Sequence, residues 1–349
     1  MRSSSVYQLK FTIPCIVSLV LFVTLFVMQG VSHKATQFLG YSIKILILAM
    51  TVFLVGKRLA QDTAPILEHT KDNFISIFTY SNIAILLLLS LFNWVFEILK
   101  WQALASHCGH ISTQESTKHV LKAHITSLIT PAKLGEYGAK ALFFPIEQRK
   151  HILFLTVLGN GYQMLATTIF GVIGIGVCVF QLFPSLKWHY IIALLLGVLT
   201  VFMIPQLLAK IRWSVKGYSW KRIRNFIKNI ALHTKQKAGF FSFVRYVLFA
   251  HQFYFLLVLF GVDITYLLAM GLITTMYLVS SLLPMLQVFD VIVKTGVAVM
   301  VFSWIAVPEI TIITISFLMW FFNVVLPILP GSYFMMTDTS LTRQKTSVL

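Results

Sequence analysis

The chain places an acid and a lysine one helical turn apart inside an apolar stretch, at Glu136 and Lys140 of residues 119–144. Side chains four residues apart lie on one face of a helix, where a carboxylate and an ammonium can pair. A charge at the centre of a membrane helix costs about 2.5–3.5 kcal/mol, so it is tolerated where it pairs or lines a wet cavity. The chemistry that this pair suits is the binding of a charged headgroup.

Pro131 interrupts the same stretch. Proline removes a backbone donor and disfavours helix at the preceding Thr130. Each half has about 12 residues and a length of about 18 Å, which is too short for a hydrocarbon core of about 30 Å. A helix broken at this point would place the N-terminus of its second half at membrane depth. The positive end of the helix dipole lies at that N-terminus. Together with Lys133, it could bind an anionic headgroup. The alternative is a surface amphipathic helix with a proline kink.

A second stretch, residues 280–296, has a similar order of residues: Pro284 is followed by Asp290 and then by Lys294. A Ser-Leu pair precedes each proline, and the two copies lie in opposite halves of the chain. Inverted-repeat transporters are built in this way, from broken helices that meet at the bilayer midplane. Chance similarity is the alternative, because the second copy has no glycine between its proline and its lysine.

The elements that must position these residues are membrane helices. The chain has 349 residues, of which 58% are hydrophobic and 11% charged, and its mean hydropathy is +0.84. A soluble domain carries about 25% charged residues. A chain this apolar needs lipid as its solvent.

The fold class we predict is all-α, a polytopic helix bundle of eight to ten membrane segments. Apolar runs long enough to span predict helices at 11–29, 38–56, 77–99, 153–180, 187–209, 242–262, 264–282 and 309–333. Two further segments, 118–146 and 291–307, either cross the membrane or re-enter it.

The charge distribution bears on this choice. Lys and Arg number 28 against 11 Asp and Glu, and the segment from Lys210 to Arg245 contains no acid, so it should be cytoplasmic. All basic clusters lie on the cytoplasmic side only if segments 118–146 and 291–307 each cross the membrane. We therefore predict ten passes in a bacterial-type inner membrane, with both termini cytoplasmic. Residues 1–335 would form one transmembrane domain with a basic loop at 210–241, and residues 336–349 a cytoplasmic tail.

The basic loop has its own periodicity. Trp220, Phe226 and Ile230 recur at helical spacing, and lysines and arginines fill the other face. This pattern predicts either an amphipathic helix on an anionic leaflet or an ordinary positive-inside loop. Nucleic-acid binding is not expected.

Motifs of enzymes are not found in the sequence. It has no H-E-x-x-H, G-x-S-x-G or Walker A pattern, and its three cysteines have no metal-ligand spacing. We expect no enzymatic activity, no catalytic residue, no metal and no cofactor. Glu97, beside Trp94, Lys100 and Trp101, is predicted to anchor a helix end at the membrane interface.

Two stretches, residues 91–109 and 125–144, resemble a known family: the flippase-type transmembrane domain of the lysylphosphatidylglycerol synthetase/flippase proteins. The residues that carry the resemblance are Lys100, Trp101, Thr130, Pro131, Leu134, Gly135 and Glu136. The chain departs from the family pattern at its second motif, which lacks glycine, and at Asn160 and Gln163, where relatives often carry charge. The aminoacyl-transferase domain of full-length members is not found in these residues, so we expect no lipid aminoacylation.

The resemblance implies a translocator of a membrane lipid or a lipid-linked intermediate, with a membrane lipid of charged headgroup as its partner. The expected substrate-binding residues are Thr130, Pro131, Lys133, Gly135, Glu136, Lys140, Asp290 and Lys294. The main alternative is a non-catalytic scaffold in envelope lipid or glycan synthesis, in which the polar pairs only hold helices together. An intramembrane lipid-modifying enzyme is disfavoured, because no nucleophile and base or metal constellation is present.

Overall fold

The computed structural model describes residues 78–128, 130, 134–182, 214–215, 218–282 and 287–337, and for residues 214–215, 218–224 and 287–290 it describes the backbone alone. All of these lie in the second of two compact units of the chain, Val55–Leu349; the first unit is Met1–Leu54. The predicted helices at 11–29, 38–56 and 187–209 fall outside the described residues, as do Pro131, Lys133, Pro284 and most of the C-terminal tail.

The described part is almost entirely helical, as the composition predicts. Its α-helices are α1 (Tyr80–Ala105), α2 (Thr113–Leu128), α3 (Leu134–Leu142), α4 (Ile146–Leu182), α5 (Trp220–Asn229), α6 (Leu232–Leu259), α7 (Tyr266–Ser281), α8 (Gln287–Phe302), α9 (Glu309–Trp320) and α10 (Ile328–Thr337). Two-residue strands β1 (Ser214–Val215) and β2 (Tyr218–Ser219) pair antiparallel before α5. A 3-10 turn (Ser303–Ile305) follows α8, and a π-helical turn (Phe321–Val325) follows α9.

In the part of the chain that the structure describes, four helical stretches are long and apolar enough to cross a membrane: α1, α4, α6 and the continuous run Glu309–Thr337 that contains α9, the π turn and α10. The shortest, α1, has 26 residues and a length of about 39 Å, which exceeds a hydrocarbon core of about 30 Å. Shorter apolar helices occur at Tyr266–Ser281 and Val291–Ile305. The prediction of a multi-pass membrane helix bundle is confirmed.

The polarity of α1 is opposite to that of a helix in a soluble protein. Its exposed large side chains are apolar: Ile85, Leu87, Leu88, Leu91 and Phe92. Its buried side chains include polar and charged ones: Ser90, Asn93, Glu97 and Lys100. Lipid solvates apolar side chains but leaves polar groups to find partners inside the protein. The bundle interior is therefore where the polar chemistry lies.

The α2–α3 segment is a hairpin. The rings of His119 and Phe143 stack with centroids 4.2 Å apart, and near the turn the Thr126 hydroxyl donates to the Gly135 carbonyl over 3.0 Å. Contacts between the start of α2 and the end of α3, and between the end of α2 and the start of α3, mean that the two helices run antiparallel.

The hairpin corrects one prediction. Helices α2 and α3 have 16 and 9 residues, or about 24 and 14 Å, and the second returns along the first. The antiparallel return contradicts the expectation that residues 118–146 cross the membrane as one segment. Entry of the hairpin into the bilayer stays a prediction. The ten-pass arrangement required that crossing. The side on which each terminus lies stays a prediction.

Helices α4 and α7 pack closely because glycines of α4 face α7. A Cβ atom on Gly174 would lie 2.0 Å from the Thr274 hydroxyl, and one on Gly171 would lie 2.4 Å from the Leu278 Cβ. Small residues let membrane helices approach to van der Waals contact of their backbones. This contact joins α4 to the second half of the bundle, where α7, α8 and α9 share one apolar core.

The basic segment contains more helix than the predicted loop at 210–241. Helix α5 forms at the predicted amphipathic stretch, and α6 begins at Leu232, ten residues before the predicted start. On the apolar face of α5, Phe226 stacks on His151 of α4, with centroids 4.8 Å apart. Ile230, which directly follows α5, is buried. The end of α5 therefore packs on the protein; its contact with an anionic leaflet stays a prediction.

Candidate functional site: a buried charge cluster

The centre of the cluster is Glu97 on α1, which is only 6% exposed. Its Oε2 atom lies 2.5 Å from the Lys100 ammonium, one turn further along α1. The same oxygen accepts a hydrogen bond from the Arg245 guanidinium of α6. Its other oxygen lies 3.8 Å from the Lys140 ammonium of α3. One carboxylate therefore joins cations from three helices.

The predicted pair of α3 is present and belongs to this cluster. The Lys140 ammonium donates to Glu136 Oε1 over 2.6 Å, and both residues are buried. Lys140 also lies over the Trp101 ring, 4.4 Å from its centroid. A cation–π contact in a desolvated site adds about 2 kcal/mol. The short helix α3 is thus fixed against α1 by its lysine.

Taken together, the five side chains are unbalanced in charge. Two carboxylates, Glu97 and Glu136, face three cations, Lys100, Lys140 and Arg245. In a low-dielectric interior the attraction between opposite charges offsets the loss of hydration only when the geometry is close, and an uncompensated charge is expensive. The surplus of one positive charge favours an anionic group near the cluster.

A chain of hydrogen bonds leads away from Arg245 across the bundle. Its Nε donates to the carbonyl and the side-chain oxygen of Asn93, over 3.1 and 3.0 Å. Asn93 in turn donates to the side-chain oxygen of Asn323 over 2.9 Å. The Asn323 amide nitrogen donates to Gln252 over 2.8 Å. Glu97 is thereby connected to the far C-terminal helices through side chains alone.

The end of this chain lies in the π turn that follows α9. A π turn leaves backbone carbonyls without their usual intrahelical partners and often marks a functional site. The Ser90 hydroxyl donates to the Phe322 carbonyl over 2.6 Å. The His124 Nε2 lies 3.0 Å from the Val324 carbonyl. Side chains of α1 and α2 therefore bind two backbone carbonyls of the π turn.

Two other predicted site residues build the hairpin turn. The Thr130 hydroxyl accepts from the Gly135 backbone N–H over 2.7 Å and donates to the Thr126 carbonyl over 3.1 Å. A Cβ on Gly135 would lie 2.1 Å from that carbonyl oxygen. Thr130 and Gly135 therefore have structural roles in the turn that precedes the Glu136–Lys140 pair.

The second predicted motif lies elsewhere in the bundle. Lys294, on α8, lines a cleft with Tyr277, Ser316, Trp320 and Asn323. The Asp290 side chain, four residues earlier, is outside the described side chains. Because Asn323 is both a wall of this cleft and a partner of Asn93, the hydrogen-bond chain joins the two predicted regions.

Sequence reasoning missed the two ends of the central ion pair. Glu97 is predicted to anchor a helix end at the membrane interface, and the structure shows that its side chain is buried inside the bundle. Its depth in the membrane stays a prediction. Arg245 was counted with the basic loop. A single acid in an apolar helix of 26 residues does signal that a cation must come from another helix, but the sequence does not say which one. Gln163 contributes a contact of 3.4 Å to Arg245.

The chemistry of the cluster is ionic and hydrogen-bonding. Among the described residues, no group of three or more His, Cys, Asp or Glu side chains could hold a metal ion. No family model matches the chain, and no curated protein is similar to it. The arrangement of the site itself is therefore what bears on function.

Proposed function

We propose that the protein is a membrane lipid translocator of the flippase type. The observation that carries the proposal is the buried cluster at Glu97, in which the α2–α3 hairpin brings Glu136 and Lys140 to charges of two long membrane helices. Charged groups at membrane depth, next to a broken helix, are characteristic of sites through which polar groups pass.

An anionic headgroup is the substrate class that suits the cluster. The three cations exceed the two carboxylates by one charge, so a phosphodiester or carboxylate group would complete the balance. Lys140 is the cation best placed to change partners, because it already contacts two carboxylates and the Trp101 ring. A headgroup that displaces Glu136 from Lys140 would leave the lysine paired and the lipid tails in the bilayer.

Movement of the headgroup would follow the hydrogen-bond chain. Asn93 and Asn323 link the cluster at Glu97 to the cleft lined by Lys294. Rocking of the helices that carry these two regions would expose them alternately to the two sides of the membrane. Glu136, Lys140, Asp290 and Lys294 would contact the headgroup in turn.

The second candidate function is a membrane scaffold in envelope lipid or glycan synthesis. It is favoured by the close mutual pairing of Glu97, Lys100 and Arg245, which ties α1 to α6 whether or not anything is transported. In that case, loss of the pairs would destabilise the protein and would not abolish an activity of its own.

Lipid translocation in proteoliposomes tests the proposal. We compare wild type with the double variant Glu136→Gln/Lys140→Gln, which removes one buried pair and keeps the net charge. Labelled anionic and zwitterionic lipids are offered separately, and their movement is followed by quenching from outside. The double variant should fold and insert, and should move the anionic lipid at least about tenfold more slowly.

The matched control is Glu147→Gln/Lys150→Gln, an exposed acid and lysine at the start of α4. It changes the same residue types and should transport like wild type. If wild type moves neither lipid, or if the double variant transports normally, the flippase proposal fails. A variant that loses stability, together with a wild type that moves no lipid, would favour the scaffold.

A further inference from the structure

Arg245 is the most accessible of the five charged side chains in the cluster. Its side chain is 20% exposed, against 3% for Lys100 and 4% for Lys140. The bundle therefore encloses the two lysines almost completely. A group that approaches the cluster from outside meets a positive charge first at Arg245.

The protein uses only part of the Arg245 guanidinium. Its Nε donates to Asn93, and its Nη1 donates to Glu97 and Gln163. In the part of the chain that the structure describes, its Nη2 makes no hydrogen bond, and it is not among the buried polar atoms that lack a partner. A nitrogen that is neither bonded nor buried reaches the surface of the cluster, so Nη2 has N–H donors to offer there.

Gln163 of α4 places a second donor beside this guanidinium. Its Oε1 accepts from Arg245 Nη1 over 3.4 Å. Because a guanidinium can only donate, the amide oxygen faces Arg245 and the amide nitrogen points away from it. Gln163 is half-buried. Among the described residues its Nε2 has no hydrogen-bond partner, and it too is absent from the buried polar atoms without one. Arg245 Nη2 and Gln163 Nε2 form what we call the accessible edge of the cluster.

We infer that Gln163 determines the charge of the headgroup that the cluster accepts, by donating with Arg245 to an anionic oxygen while carrying no charge itself. The inference rests on the proposed function, for which it names a selecting residue. The planar fork of arginine matches the oxygens of a phosphate or carboxylate group. A neutral amide at Gln163 preserves the surplus of one positive charge in the cluster. A carboxylate at this position would cancel that surplus.

Lipid binding to the purified full chain in mixed micelles tests the inference without transport. The probes are radiolabelled phosphatidylglycerol, which is anionic, and phosphatidylcholine, which is zwitterionic; both contain a phosphodiester. Wild type should prefer phosphatidylglycerol, because its net charge offsets the surplus. Inorganic phosphate at the same concentration offers the same oxygens and should not displace the lipid, because it lacks acyl chains. Displacement would assign the accessible edge to a free anion and overturn the headgroup assignment.

Two variants of Gln163 separate its charge from its donor. Gln163→Glu is nearly isosteric, and its carboxylate can pair with Arg245. It should lower the preference for phosphatidylglycerol over phosphatidylcholine at least about tenfold, because neighbouring unit charges in a protein interact strongly. Gln163→Met removes the amide and keeps the charge. It should weaken binding of both lipids about tenfold, the loss expected for one hydrogen bond to a charged group, and leave the preference unchanged.

Gln148→Glu is the matched control, since it makes the same change near the start of the same helix, outside the cluster. It should bind both lipids like wild type. Equal binding of the two lipids by wild type, an unchanged preference in Gln163→Glu, or an equal shift in Gln148→Glu would overturn the inference. If Gln163→Glu does not fold, unchanged binding by Gln163→Met overturns it.

Failure of the inference and failure of the proposed function give different results. A wild type whose preference depends on Gln163 in micelles, but which moves no lipid in proteoliposomes, supports the selecting role and contradicts transport. A wild type that moves anionic lipid, with the same preference after Gln163→Glu, supports transport and contradicts the selecting role.

Discussion

Glu97 of α1 accepts a hydrogen bond from Arg245 of α6 inside the bundle, where each residue belongs to a helix long enough to cross the membrane. The pair joins residues 148 positions apart in the chain. It is supported on both sides, since Arg245 also donates to Asn93 and Glu97 also contacts Lys100 and Lys140. Two predictions about stability concern this cluster and the hairpin beside it.

Glu97→Gln should strongly destabilise the protein. The change removes one of two carboxylates and leaves the buried Lys100 and Lys140 and the half-buried Arg245 with Glu136 alone. Breaking a buried pair costs about 3–5 kcal/mol. Lys100→Met should cost less than half as much, because it removes the surplus cation and leaves Glu97 paired with Arg245 and Lys140. Thermal unfolding in detergent measures both. Glu147→Gln, an exposed acid of α4, should unfold like wild type, and equal effects of the two cluster variants would contradict the charge imbalance.

Gly135→Ala should open the hairpin. A Cβ at this position would lie 2.1 Å from the Thr126 carbonyl oxygen, so α2 and α3 would have to separate, at a cost of about 1–3 kcal/mol. Gly138→Ala, one turn along the same helix, meets nothing within 4 Å and should stabilise by up to about 1 kcal/mol, because alanine favours helix over glycine. Thermal unfolding of the two variants should therefore shift in opposite directions. A Gly135→Ala variant that unfolds at or above the temperature of wild type would show that the turn tolerates a side chain.

The start of α2 should respond to acid. Ser112 and Glu115 form a capping box: the Ser112 backbone N–H donates to Glu115 over 2.7 Å, and the Glu115 N–H donates to the Ser112 hydroxyl over 3.2 Å. The Ser112 hydroxyl also donates to the Glu115 carboxylate over 2.9 Å. The bonds that the carboxylate accepts from the Ser112 backbone N–H and, second, from the Ser112 hydroxyl hold the pKa of Glu115 below its usual value. A carboxyl with a lowered folded pKa stabilises the protein above its unfolded pKa, about 4.3 for glutamate, and this contribution is lost as the pH falls through the folded pKa.

Hydrogen exchange of the first turn of α2 measures this effect. Between about pH 6 and pH 3, a range that spans the unfolded pKa of glutamate, wild type should lose protection in this turn, after correction for the intrinsic exchange rate. Glu115→Gln should lose less, since glutamine does not titrate. Ser112→Ala should weaken the turn throughout the range, by about 1 kcal/mol. An identical pH profile in wild type and Glu115→Gln would rule out this role of the carboxylate.

The membrane helices were predictable because their signal is local. A run of apolar residues identifies a span whatever surrounds it, and the predicted helices at 77–99, 153–180, 242–262, 264–282 and 309–333 all correspond to helices of the structure. Their ends shift by several residues, as at Leu232, because polar residues can extend a helix beyond its apolar run.

The hairpin shows the limit of local signals. Pro131 and the glycines after it indicated a break, and the pair Glu136–Lys140 followed from helical spacing; that pair is present. The direction of the chain after the break depends on contacts between α2 and α3, such as Thr126 with Gly135. A charge count over whole loops could not detect those contacts, so it favoured a crossing.

By itself, the sequence determined that this is an all-α membrane protein with charges buried in it, because hydropathy and helical spacing are properties of neighbouring residues. Only the tertiary structure decided which charges meet. Glu97 signals that a cation must come from another helix, but not which one. Arg245 is ordinary in its own basic segment, and Asn93, Asn323, Tyr277 and Ser316 have no distinguishing pattern. Their association depends on helix packing, in which lipid leaves each buried polar group to find its partner on another helix.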